Sequence, residues 1–475
     1  MTTESPIPVL RDELPSQTVW RPRESAVQAG VAQVDITPPV GIRARNWGAS
    51  RIGHSTGVHH PLTATAVAFS EVGGRPSYLV TVDLCTWGPT SSFRGIFEPV
   101  VAAVGADETE VLLHAVHNHC GPSIAETDHS LPGAEMIPAF RQQLIDGIVD
   151  AVRTARATMT PARITWTYGR CALATNRDLP CGERDVVGFN PHVTADDTLA
   201  VGRIADAEGE IVAVLANYAC HPTTLAFHNS LLSPDYVGAA RNVVQEEVGV
   251  PLLFFQGASG ELAPRDQYVE GTEMADRNGR QLGHSILAAL NAMSTSGTEL
   301  VYEGTVESGA PLALWQEHRV DLPEQLHTEH FSVDLAARRA LTAQELGEKW
   351  SGIDPIAAQE RAKRALVQSE GYVLDGMAQH PVWLWQMGDA VVVAHSGEAF
   401  SYLQTELRRR HPDRVLFVLN LTNGPGGCYL PTKAAYERDR YQVWQTLLEA
   451  GALEALVEAI DAAINALPAP RAVVL

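Results

Sequence analysis

The chain has 475 residues, of which 45% are hydrophobic, enough to bury a large core. Its 56 acidic and 35 basic residues give a formal net charge of −21, so the average surface repels nucleic-acid phosphates and anionic lipid head groups, and nucleic acid is not an expected partner. No run approaches the roughly 18 uninterrupted apolar residues of a membrane-spanning helix, and none is expected.

In chain order, residues 1–28 are interrupted by proline and charge and lack the apolar core of a secretory signal. They read as an N-terminal extension to one domain over residues 29–475, with a cytoplasmic location expected. Apolar runs of strand length follow at 78–82, 111–113, 211–215, 252–255, 391–393 and 415–419. Between and after them lie helical patterns, with Phe140, Leu144, Ile148 and Val152 on one face, and Leu453, Leu456, Ile460, Ile464 and Leu467 on another. Residues 294–300 are the expected surface connection. Residues 334–368, Ala-rich and charged, read as one or two exposed helices broken near Ile353-Asp354-Pro355, either covering the site or decorating it. The expected fold class is α/β, a mixed β-sheet core covered by helices.

Five of the runs lead into polar turns. The first gives His114-Ala-Val-His117-Asn-His119-Cys-Gly-Pro, the second Asn217-Tyr-Ala-Cys-His221-Pro, and the third Gln256-Gly257-Ala-Ser259-Gly-Glu261. The last two give His395-Ser-Gly-Glu398 and Asn420-Leu-Thr-Asn-Gly-Pro-Gly-Gly-Cys-Tyr429. If these strands are largely parallel, their C-terminal ends share one edge, where α/β sheets place ligand sites. In extended chain the HxH pair turns both imidazoles to one face, available to one metal or divided between metal and substrate. Singly, His117 and His221 read equally well as hydrogen-bonded histidines, and Glu398 as a helix cap. The shared arrangement of strand, small turn and proton-active side chain favours one common pocket.

His117-Asn-His119-Cys-Gly-Pro resembles the HTHSGP motif of the neutral, non-lysosomal ceramidases, and Ala29-Gly-Val-Ala-Gln-Val-Asp35-Ile-Thr-Pro resembles their AGxGxxDITGP opening. Asn176-Arg177, His221, Ser233-Pro-Asp235-Tyr-Val-Gly, Gly397-Glu398, and Tyr429-Leu-Pro-Thr with Tyr441 twelve residues beyond it agree in order, over roughly residues 29–450. The resemblance implies a fold like the ceramidase catalytic domain and one Zn2+ held by His117, His221, Glu398 and Tyr429, with a water in the open position. It also implies that His119, Arg177 and Tyr441 face the substrate. Zinc brings the pKa of bound water to roughly 7, so attack by zinc-bound hydroxide is the expected chemistry. His119 then moves a proton, while Tyr441 or Arg177 stabilises the oxyanion.

Two departures loosen the substrate. Where the family carries a serine in a QSNxGD context this chain has Gly257, with Ser259 two residues later, so a serine nucleophile is not expected. The additional β-sandwich domain of full ceramidases is not expected either, which favours an N-acyl substrate smaller or more soluble than ceramide. The leading expectation is a zinc amidohydrolase acting on a linear amide. The alternatives are a zinc lactonase or esterase on the same scaffold and a silent ligand-binding homologue; the sequence is compatible with an oligomer. Asp35, Asp235 and Ser259 are further candidates, the aspartates as acceptors orienting a ligand histidine or as turn residues. Of the six cysteines, at 85, 120, 171, 181, 220 and 428, Cys120, Cys220 and Cys428 adjoin site residues. Packing is the favoured reading of those three over a thiolate metal site, since regular cysteine spacing is absent.

Overall fold

The computed structural model describes residues 9–10, 19–44, 50–125, 130–322, 324–367, 370–425 and 428–469. Much of the expected N-terminal extension, Gln368, and Gly426-Gly427 of the final turn lie outside the described residues.

An eight-stranded sheet comprises β1 (Arg23–Asp35), β2 (Thr63–Ser70), β3 (Ser77–Val82), β4 (Val111–Ala115), β5 (Thr160–Arg170), β6 (Thr198–Asp206), β7 (Ile211–Tyr218) and β8 (Leu252–Gln256). Its order is β8-β7-β6-β5-β1-β2-β3-β4, with parallel pairing at β7–β8 and β3–β4 and antiparallel pairing elsewhere. A second sheet runs β9 (Leu326–Ala336), β10 (Met377–Met387), β11 (Ala390–His395) and β12 (Val415–Leu419), parallel only at β11–β12, with the short strand Val373–Leu374 also on β10.

Both sheets are covered on both faces, which is why their central strands read as continuous apolar runs. Leu253 and Phe255 of β8 point into the core between the sheets, where they meet Val392 of β11 and Phe417 of β12. Leu252 and Phe254 point the other way, under α3 (Tyr236–Val248) and α4 (Glu273–Asn291). On the same outer face α1 (Thr90–Val104) and α2 (Ile137–Ala157) cover β2, β3 and β4. Behind the second sheet, α7 (Tyr402–Arg410) and α9 (Ala452–Ala466) pack on Val391, Val393, Leu416 and Val418. The result is four layers, helix, sheet, sheet, helix, in agreement with the expected mixed α/β class. The layers are close: a Cβ at Gly279 of α4 would lie 2.2 Å from the Tyr236 carbonyl oxygen of α3.

All six strand runs and both helical patterns fall in elements of the expected type. The single parallel edge is corrected. The five strands that precede polar turns are divided between two sheets, and only short parallel pairs within each align their C-terminal ends. In the charged segment, residues 334–336 belong to β9, followed by α5 (Ala343–Lys349) and α6 (Pro355–Val367). Thr298 to Leu300, expected as connection, begin the strand Thr298–Val306. No helix among the described residues is long and apolar enough to cross a membrane.

The two sheets are tied together where their polar turns emerge. Asn217 of β7 donates from Nδ2 to the Val418 carbonyl (2.9 Å) and accepts from the Val418 N–H (3.1 Å). After β12 the chain crosses to the first sheet, with Asn420 N–H donating to the Gln256 carbonyl (3.1 Å) and Ala115 N–H to the Leu421 carbonyl (3.1 Å). On the other side of β4, buried Asp83 receives both Arg241 terminal nitrogens (2.9 and 3.0 Å) and the Thr63 N–H (2.7 Å). This pair fixes the loop after β3 against α3.

Two stability predictions follow from these buried charges. Asp83→Ala strands the Arg241 guanidinium in the interior and is expected to cost about 3–5 kcal/mol in denaturant unfolding; a loss below about 1 kcal/mol would show the pair to be dispensable. Glu261, whose carboxylate accepts from the Ser401 N–H (3.0 Å), is raised by burial to about 7. Its protonated form therefore favours the fold, and that contribution, complete below about pH 4.5, is lost as pH rises through about 7. The stability of the native chain relative to Glu261→Gln should fall across this window, by up to about 3 kcal/mol. Parallel pH–stability curves for the two proteins would contradict the assignment.

Candidate functional site

Beyond β4 the chain leaves the extended conformation, and His117 sits at φ 74, in the left-handed region that non-glycine residues seldom occupy. The extended HxH reading is therefore corrected. A strained turn, rather than strand alternation, brings His117 and His119 together, with ring centroids 4.7 Å apart. The turn is held by the His117 N–H donating to the Leu84 carbonyl (2.8 Å) and by Nδ1 donating to the Cys85 carbonyl (2.7 Å). His221, just past β7, is held in the same way, its N–H on the Leu262 carbonyl (3.0 Å) and its Nδ1 on the Ser259 carbonyl (2.7 Å). With each Nδ1 committed to a carbonyl, each Nε2 is turned toward the centre.

Glu398 arrives from the second sheet. The two-residue strand Glu398–Ala399 pairs in parallel with Tyr429–Leu430, in a register that sets Glu398 beside Tyr429. Glu398 Oε2 lies 3.2 Å from His117 Nε2 and 3.3 Å from His221 Nε2, and all three side chains are buried. Their donor atoms lie within 4.8 Å of one another, which makes them a group able to hold a metal ion.

The electrostatics state what this group needs. Burial alone would raise the Glu398 carboxyl, yet His117 and His221 hold it well below the usual carboxylate range. Burial would lower His117, yet Glu398 raises it well above an ordinary imidazole. His221 is pushed down to about 3 by burial and by the Arg177 guanidinium. The carboxylate thus demands positive charge, but His117 Nε2 makes no hydrogen bond among the described residues despite its 3.2 Å approach. A small cation shared by the three atoms satisfies both the charge and the unpaired nitrogen.

The other expected site residues gather round. Arg177 is buried, donating from Nη2 to the Tyr429 hydroxyl (3.1 Å) and the Gly260 carbonyl (2.7 Å), and lies 3.3 Å from His221 Nε2. The Tyr429 phenol is pushed up by burial and by the Glu398 charge, while Arg177 opposes the shift. The Tyr441 ring stands 5.6 Å from that of Tyr429, at the start of α8 (Tyr441–Gln445). His119 is half-buried, 6.2 Å from the His221 ring.

Three residues were missed. Cys85 forms an overlapping possible metal group with His117 and His119. It lies in the turn just beyond the strand signalled by the apolar run at 78–82. Tyr268, at φ 60, meets Arg177 and is raised by burial. Arg364 of α6 donates to the Tyr441 hydroxyl (3.2 Å), so the charged helical segment does reach the site. Nothing local in the sequence signals the last two.

Asp35 lies on the surface and closes an Asx turn onto the Thr37 N–H (2.7 Å). Asp235 accepts from the N–H groups of Leu225 (2.9 Å) and Tyr236 (2.7 Å), so it pins the loop after His221 rather than orienting an imidazole. The Ser259 hydroxyl accepts from Gln256 Nε2 (2.6 Å) and lies 3.3 Å from His221 Nδ1, on the side of the ring away from Glu398. At Gly257 an added Cβ would lie 2.9 Å from Gln404 Oε1 and 3.0 Å from the Ala219 Cβ, so a serine there must displace its neighbours. Burial raises the thiols of Cys120 and Cys220, and Cys428 is pushed up to about 11, against a thiolate role. Elsewhere His59, His60 and Asp276 form another possible metal group, but hydrogen bonds account for it: both Nε2 atoms face Asp276 Oδ1 (3.1 and 2.9 Å) and His59 Nδ1 faces the Ser233 hydroxyl (2.9 Å).

Residues 27–254 match the family model described as neutral/alkaline non-lysosomal ceramidase, N-terminal. The neutral ceramidase of Pseudomonas aeruginosa is 26% identical over 400 residues, covering 78% of this chain and 57% of that protein. Neutral ceramidase A of Dictyostelium discoideum is 27% identical over 237 residues, covering 46% of this chain and 31% of its own length. The chain thus spans little more than half of the first of these relatives and about a third of the second. Among solved structures, a ceramidase complexed with C2 superposes with a TM-score of 0.66 at 17% identity, over 94% of this chain and 77% of that one. The crystal structure of the Pseudomonas aeruginosa neutral ceramidase gives the same TM-score and identity and is covered over 75% of its length. The matched residues and the relatives agree: residues 27–254 match the N-terminal domain of the neutral/alkaline non-lysosomal ceramidase family, and the chain shares the ceramidase fold.

Proposed function

We propose that the protein is a zinc-dependent hydrolase of N-acyl amides, with His117, His221, Glu398 and Tyr429 as the zinc ligands. The observation that carries this reading is the convergence of two Nε2 atoms on one Glu398 oxygen, at 3.2 and 3.3 Å, with both Nδ1 atoms anchored behind. Two imidazoles, a carboxylate and a phenol oxygen form a donor set suited to zinc. When bound, zinc polarises a carbonyl and lowers the pKa of water to roughly 7.

The chain's own residues supply the rest. The carbonyls of Cys85 and Ser259 fix the imidazole orientations, leaving Nε2 of each toward the ligand position. Arg177 places a buried positive charge beside Tyr429 and His221, where a developing oxyanion is stabilised. Because the Tyr441 oxygen accepts from Arg364, its own proton is free to be donated to that oxyanion. His119, half-buried at the edge of the cluster, carries the proton to the departing amine. The crowding at Gly257 and the placement of Ser259 behind His221 favour water over a serine as the attacking group.

The purified protein should hold about one zinc per chain by elemental analysis, and His221→Ala should lose both metal and hydrolysis. A metal-free preparation turning over at full rate would sink the proposal. Tyr441→Phe is expected to retain zinc while losing about 10²–10³-fold in kcat. Matched amide and ester substrates test the bond cleaved, since an ester-only profile would replace the amidase with a lactonase or esterase.

A further inference from the structure

A cavity of about 590 Å³ opens between α5, α6, the end of β9 and α8. This is the size of a small organic ligand. Its walls are apolar at Leu346 and Val373 and at the indoles of Trp350 and Trp444, whose centroids are 4.6 Å apart. The Arg361 guanidinium lies 4.7 Å from the Trp350 ring and 4.3 Å from the Trp444 ring, and the Lys349 ammonium 4.9 Å from Trp350.

The charge here is out of keeping with the molecule. Among the described residues, Arg338, Arg339, Lys349 and Arg361 line the cavity against one acid, Asp375, in a chain of net charge −21. Arg339 is paired with Glu345, and Arg338 donates to the Val443 carbonyl. Lys349 and Arg361 make no ion pair among the described residues; burial lowers the pKa of both and outweighs the opposing charge of Asp439, as expected of cations drawn from water beside aromatic faces. Indoles hold a guanidinium in place but do not neutralise it.

The cavity is also next to the proposed chemistry. Trp444 packs edge-on against Tyr441, centroids 5.1 Å apart, and the helix that supplies Arg361 also supplies Arg364 to the Tyr441 hydroxyl. A group seated between Lys349 and Arg361 therefore lies one aromatic ring from the proposed oxyanion donor.

We propose that this cavity recognises an acidic group on the substrate, a carboxylate carried on an apolar body, so that the amide hydrolysed is an organic anion. The substrate assignment rests on the hydrolase reading; the binding of an organic anion does not.

The test uses the full chain with zinc. Titration with octanoate, followed by tryptophan fluorescence, should give binding at least about tenfold tighter than octanol, weakening as salt rises. Lys349→Gln with Arg361→Gln should abolish that preference, and Arg361→Lys should retain part of it, which separates lost charge from a damaged fold. Kinetics with N-octanoylglycine and the neutral N-octanoylglycinamide should show a higher kcat/KM for the acid, and the ratio should fall at least about tenfold in the double variant through KM. Equal affinity for octanoate and octanol overturns the anion site. Octanoate binding that the variants weaken, with no acid preference in hydrolysis, overturns the substrate assignment and leaves a site for a free acid. Octanoate binding with no hydrolysis of either amide overturns the amidase reading and, with it, the substrate assignment.

Discussion

A carboxylate and two imidazoles brought together away from water cannot rest without a positive charge among them. Burial penalises Glu398 as an anion, the imidazole nitrogens crowd it at 3.2 and 3.3 Å, and His117 Nε2 finds no hydrogen-bond partner among the described residues. Two other buried histidines are satisfied: His395 Nε2 meets Asn420 Oδ1 at 2.7 Å, and His114 accepts from the Gln256 N–H at 2.8 Å. The unpaired nitrogen of His117 belongs to a group whose donor atoms could share a cation.

The architecture is arranged around that meeting. His117 and His221 leave the first sheet, Glu398 and Tyr429 form a two-stranded pair in the chain beyond β11 and β12 of the second, and the chain after β12 crosses to bond with β4 and β8. Because α helices seal both outer faces, the turns at this end are where polar groups from both sheets can converge. The left-handed backbone at His117 belongs to the same logic, since local strain persists where the surrounding contacts over-determine it. The α5–α6 segment then brings cations to an otherwise acidic molecule, with Arg361 stacked on Trp444, which packs against Tyr441.

Strand runs were legible in the sequence because a strand buried on both faces is apolar at every position, and the helices because a one-sided helix repeats its apolar residues every three or four. The meeting of His117, His221 and Glu398 was legible through three similar turns together with a family resemblance; any one alone read equally well as a hydrogen-bonded group. The division into two sheets was not, since parallel and antiparallel pairing leave the same trace in a doubly buried strand. Nor was the conformation of His117, set by hydrogen bonds to the loop after β3 from more than thirty residues away. Arg364 and Tyr268 reach the site through packing of distant segments, which no local pattern encodes. Asp235 was recognisable as a turn residue, but its partner, the loop after His221, needed the fold.

The central claim is that His117, His221 and Glu398 hold one metal ion through nitrogen and oxygen. X-ray absorption at the zinc edge of the purified protein tests it directly, because it reads the donor elements. The account predicts nitrogen and oxygen neighbours at about 2.0–2.2 Å and no sulfur. A sulfur neighbour at about 2.3 Å would move the metal to Cys85 and its histidines, and contradict the assignment made here.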